Sequence, residues 1–166
     1  MQCFTPTECS EWLRQRDIAE APHGMPVSQF ELPKEAGRIF AFARSLFLAF
    51  GDFPGGLLVF TDWALYRPDE MALIDSLRRG HGEPRPLIEA PGHIFTATEV
   101  SEAIGQSYLP IIFAWSAYMY LASGLATVYF WEGDLVDFWT SDSRIAKKVD
   151  DVVEQYGLRI TGNGRG

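Results

Sequence analysis

The familiar catalytic signatures are missing from this chain. Its 166 residues hold no GxSxG elbow, no Walker loop, no GxGxxG turn and no HExxH pair. The motif-borne routes to acyl transfer, nucleotide binding and zinc hydrolysis therefore have no starting point. Histidine is scarce, with three residues at positions 23, 81 and 93. None stands at ligand spacing from a second histidine or a cysteine, so no metal and no cofactor is expected. Cysteine is scarcer still, with Cys3 and Cys9 six residues apart. A bridge between them would close a small loop and strain the start of an expected helix, so both read as free thiols of a reducing cytoplasm. The opening "MQCFTPTECSEW" has neither a basic stretch nor an apolar run, and no secretory leader is expected from it.

Positive charge is absent over a long internal stretch. No Lys or Arg occurs between Arg85 and Arg144, while Glu89, Glu99, Glu102, Glu132, Asp134, Asp137 and Asp142 all fall there. The whole chain carries 14 basic and 22 acidic residues, a net charge of −8. That balance opposes attraction to phosphate backbones and anionic lipid, so neither nucleic acid nor a membrane surface is an expected partner. The stretch from Ala103 to Trp131 lacks charge of either sign for 29 residues, enough to span a bilayer as a helix. It contains Gly105, Gln106, Pro110, Gly124, three serines and four tyrosines, and acids rather than Lys or Arg flank it. A membrane helix is not expected there.

What the chain does have is apolar and aromatic material. Hydrophobic residues make up 47% and aromatic residues 14%, enough for one ring-rich core at this length. "TPTE" is a capping box with proline at the first helical position and predicts a helix from Pro6 to about Arg16. Val27 to Leu32 predicts a weak strand. A helix from Pro33 to Phe50 carries an apolar stripe of Ile39, Phe40, Ala43, Leu46, Phe47 and Phe50. "LLVF" is a short buried strand, residues 62 to 66 lead away from it, and a helix from Asp69 ends at Gly80 as its C′ glycine. Residues 81 to 95 are expected to form a long irregular loop. Thr96 and Glu99 have capping-box spacing, and Phe95 and Val100 staple spacing, for a helix from Ala97 with Pro110 as a kink. Strands at 117–121, 125–131 and 135–139 follow, then a helix from Ser143 to Tyr156 stopped by Gly157. The fold class is α+β, a largely antiparallel sheet with a C-terminal three-stranded meander packed on several helices. Residues 1–157 form the single domain and 158–166 a flexible tail.

Alternation sorts the meander into two faces. Ala117, Met119, Leu121, Ala126, Val128, Phe130, Val136 and Phe138 form a wholly apolar core face. The opposite face collects Tyr118, Tyr120, Thr127, Tyr129, Trp131, Asp137 and Trp139, with Asp134 at the following turn. Tyr and Trp dominate interface hot spots, and the acids around them favour a basic protein as partner. Protein–protein binding, of an immunity- or inhibitor-like kind, is the expected function. The alternative is a small-molecule enzyme or ligand-binding protein centred on Glu89, His93, Arg85 and Asp62, because a carboxylate beside an imidazole tunes a general base.

The segment "DWALYRPDEMALIDSLRRGHGEPRPLIEAPGHIF", followed by "FAWSAYMYL", resembles a pattern of uncharacterised bacterial proteins. In that pattern a Trp-bearing strand precedes an "LR…G…R.L.EAPGH.F" segment. The likeness covers about residues 57 to 121. It implies a shared scaffold around "EAPGH" and carries over no activity and no catalytic residue. Size, acidity and the missing catalytic motif are also similar to those of bacterial toxin-immunity proteins.

Overall fold

The computed structural model describes residues 1–24, 26–63 and 67–162. The meander forms as its alternation requires, with β5 (Ser116–Leu121), β6 (Ala126–Trp131) and β7 (Leu135–Thr140) paired antiparallel. At the β6–β7 turn, Glu132 to Asp134, Glu132 (φ 42) and Gly133 (φ 72) are both left-handed, the pair of conformations whose turn matches strand twist. Gly133 has a second constraint. A Cβ there would lie 2.5 Å from the Ile111 carbonyl oxygen.

The meander is the middle of a larger sheet. Strands β1 (Gln2–Phe4), β2 (Ser28–Glu31), β3 (Gly56–Asp62), β4 (Gly92–Phe95) and β8 (Ile160–Gly162) extend it on both sides. Among the described residues the order is β1-β4-β3-β5-β6-β7-β2-β8, with every neighbouring pair antiparallel. Both edges are strands of three residues, short enough to offer little template for uncontrolled pairing.

Helices α2 (Ala36–Ala49), α4 (Val100–Ile112) and α5 (Ser143–Gln155) pack on the core face. Phe30, Leu58, Phe60, Ala117, Met119, Val128, Phe130, Val136 and Phe138 are buried beneath them. Helix α3 (Pro68–Gly80) adds Ile74 to the same core. Helix α1 (Pro6–Arg14) lies on the opposite face. Its start has the expected capping box, Thr5 accepting from the Glu8 N–H while the Glu8 carboxylate accepts from the Thr5 N–H. It can sit close because β4 offers glycine under it. A Cβ on Gly92 would meet the Cys9 sulfur at 2.2 Å.

Several boundaries depart from the sequence expectation. The loop expected over 81–95 ends in β4, whose His93 and Phe95 pair with Leu58 and Gly56, so strand pairing accounts for the burial of Phe95 without a staple. Helix α4 begins at Val100 rather than Ala97. Glu99 does reach back to the Thr96 N–H and hydroxyl, but the Glu99 N–H donates to the Thr96 carbonyl rather than to its side chain, and only half of the expected box forms. In α2 Phe42 is buried and Phe40 is 50% exposed, since α2 faces both α4 and α5 and its buried arc turns away from Phe40. The C′ glycine of α3 is Gly82 (φ 80), with the Glu83 and Gly82 N–H groups closing a Schellman motif on Arg78 and Arg79. The expected flexible tail is partly a strand: Ile160–Gly162 pairs with β2, and residues 163–166 lie outside the described residues. Of the stretch expected to lead away from the third strand, residues 64–66 also lie outside them.

Candidate functional site

The face of the sheet opposite the core divides into three rows running across the strands. The first row is Leu57, Tyr120, Thr127 and Trp139, the second Val59, Tyr118, Tyr129, Asp137 and Gln29, and the third Trp131, Leu135 and Glu31. Helix α1 covers Leu57 and Tyr120 of the first row with Cys9, Trp12 and Leu13. The chain following α1 extends that cover, with the Tyr120 hydroxyl donating to the Glu20 carbonyl and the Trp139 indole N–H to the Gly24 carbonyl. Tyr120 is 3% exposed beneath it. Among the described residues, cover thins over the second row and stops before the third, where Trp131 is 44% exposed.

A continuous run of rings leads from the covered row into the open ones. Tyr120 and Tyr118 stack with centroids 5.4 Å apart, Tyr118 and Tyr129 stack at 4.1 Å, and Tyr129 meets Trp131 edge to face at 4.7 Å. Burial raises the pKa values of Tyr118 and Tyr120, so both are neutral phenols at physiological pH. Beside the rings lies Asp137, expected on this face and found there only 6% exposed. Its carboxylate accepts from the Trp131 indole N–H at 2.7 Å and from the Gln29 amide at 2.6 Å. Gln29 is held in turn by the Thr161 hydroxyl at 2.9 Å. Strand β8 thus buttresses the site through Gln29, a residue that sequence reading passed over. The signal for it was present: Phe30 facing the core places Gln29 and Glu31 on the other face.

Charge around the face is less one-sided than the sequence suggested. Lys34 pairs with Asp134, and Arg159 pairs with Glu31. These cations lie outside the basic-free stretch and return to it through β2 and β8, a pairing that sequence distance conceals. Asp62 stands at the end of β3 opposite Ser116, and Glu132 is exposed in the β6–β7 turn.

The residues of the alternative reading are placed separately. His93 is fully buried in β4, edge-on to Phe60, with its Nε2 2.9 Å from the Arg78 guanidinium. Arginine only donates, so Nε2 accepts and the proton sits on Nδ1. Burial and the Arg78 charge lower the His93 pKa to about 3. Arg78, also fully buried, donates to the carbonyls of Ala90 and Arg85 and so fixes the 81–91 loop from inside. Arg85 pairs with Glu83, its Nε donating at 2.7 Å, and this lowers the Glu83 pKa to about 2. Glu89 and Asp62 are exposed at the surface. His93 therefore faces a guanidinium rather than a carboxylate, and the four residues do not line a common cleft. Arg78 was hidden in the sequence because "LRRG" at a helix end reads as exposed cations complementing the dipole. A groove of about 560 Å³ runs along α1, lined by Glu11, Arg14, Asp17 and Glu20 among others, and contains none of the four.

No described helix is long and apolar enough to cross a membrane, and no group of three or more His, Cys, Asp or Glu among the described residues forms a metal site. Comparison of the chain with protein-family models, curated proteins and solved structures gave no match.

Proposed function

We propose that this protein acts by binding another protein, a basic one, through the open rows of its outer sheet face. The observation that carries the reading is the ring run Tyr118, Tyr129 and Trp131, half-buried to exposed, next to the Leu57 and Tyr120 part of the same face that α1 covers. Such rings bring large apolar area with few torsions to freeze, which is why they dominate interface energetics. A net charge of −8, with Asp137 inside the patch and Glu132 and Asp134 at its edge, steers a basic surface toward it. An acidic inhibitor or immunity-like protein acting in a reducing cytoplasm fits this chemistry.

The test is site-specific photo-crosslinking in the native host, with a benzoylphenylalanine probe at position 129 or 131 and a control probe at position 48 on the far side of the molecule. Leu48 is 61% exposed on α2. A basic protein should attach at 129 and 131 and not at 48. Adducts at all three positions, or adducts at 129 and 131 only with acidic proteins, would reject the reading.

A further inference from the structure

Resting on that reading, we infer that the partner is anchored by an arginine whose guanidinium lies flat on the Trp131 ring beside Asp137. The indole N–H lies in the plane of the ring, so its 2.7 Å bond to Asp137 Oδ2 holds a negative charge at the ring edge. Donation to an anion enriches the π-face that a cation seeks, and the carboxylate adds its own attraction. Asp137 is itself incomplete. It is nearly buried, its two hydrogen-bond partners are the neutral side chains of Trp131 and Gln29, and among the described residues no ion pair reaches it. Burying a carboxylate without a cation is costly, and an incoming guanidinium offsets that cost.

The shape of the site selects arginine over lysine. An ammonium group is held best inside a box of rings, but Tyr118 and Tyr129 stack on each other at 4.1 Å and leave no gap between them. What they leave open is one flat ring face, that of Trp131, set at 81° to Tyr129, and its 44% exposure is more than a ring covered on both faces retains. A planar, weakly hydrated guanidinium suits such a face. The molecule uses the same contact elsewhere: Arg16 lies over the Trp12 ring at 4.2 Å. Among the described residues no cation lies over Trp131, and the nearby cations Lys34 and Arg159 are engaged by Asp134 and Glu31.

The experiment titrates the full chain with three capped glycine-spaced peptides that differ only in carrying arginine, lysine or citrulline, and follows the Trp131 indole N–H by NMR. The arginine peptide should shift that resonance and bind about 5-fold or more tighter than the lysine peptide, with citrulline weakest. Trp131→Ala should weaken the arginine peptide by about 10-fold and erase the preference. Asp137→Asn keeps an acceptor for Trp131 and should act similarly, whereas Asp52→Asn, the same charge change at a remote exposed site, should not. Equal arginine and lysine affinities that still depend on Trp131 and Tyr129 would overturn the arginine anchor and leave the binding face standing. Binding of both peptides that is indifferent to Trp131, Tyr118 and Tyr129 would overturn the anchor and the face together.

Discussion

Acidification should loosen this protein through His93 before it titrates the carboxylates. The imidazole is fully buried against Arg78, and its folded-state pKa is lowered to about 3. In the unfolded chain the ordinary value of about 6.5 returns. Below that value the unfolded state binds a proton that the folded state refuses, so stability is fully present above about pH 6.5 and is lost as pH falls toward the folded pKa of about 3. Between pH 7 and pH 5 this linkage amounts to about 2 kcal/mol for a single histidine of this kind. Below pH 5 the carboxylates Glu83 and Asp142, each lowered to about 2 by its arginine neighbour, begin to contribute with the same sign. The clean window is therefore pH 5 to 7. The assay is urea unfolding across that window for the native chain and for His93→Gln, whose amide oxygen can still accept from Arg78 but does not titrate. The native midpoint should fall with pH while that of His93→Gln stays nearly flat. Equal slopes would show that His93 is not held neutral by the fold.

Gly92→Ala should destabilise by about 1 to 3 kcal/mol through overpacking against Cys9, and Cys9→Ala in the same chain should recover part of the loss; additive losses in urea melts would refute the contact. Phe95→Ala, which empties a buried strand position, should cost about 3 to 5 kcal/mol, and an unchanged unfolding midpoint would show that the site is not packed. Both thiols should resist a disulfide-exchange reagent in the folded protein and react after unfolding. Burial raises the Cys3 and Cys9 pKa values, that of Cys9 to about 12, and fast native labelling would contradict this.

Much of this architecture was legible because local signals agreed with one another. The meander's alternation gave its faces, and its strand limits to within one residue, and Ser143–Gln155 showed its buried stripe and its stopping glycine. The short outer strands of the sheet were not legible. Gln2–Phe4, Gly92–Phe95 and Ile160–Gly162 are too short to show a period, and their pairing energy comes from partners far away in sequence. The aromatic face was legible as a list of residues but not as a site. Whether α1 covered it depends on Gly92 giving room beneath Cys9, a close approach no pattern reports. Asp137 shows the same limit from the other side: its position on the face was readable, while its burial under Trp131 and Gln29 depends on where β2 docks.

The most direct test of the account is the affinity of the crosslinked partner, once purified, for three single variants measured by calorimetry. Trp131→Ala and Tyr129→Ala should each weaken binding by about 2 kcal/mol, roughly 30-fold, with little change in urea midpoint, while Leu48→Ala should leave affinity unchanged. Unchanged affinity in both ring variants, or an equal loss in Leu48→Ala, would contradict the claim that the open aromatic face is where this protein works.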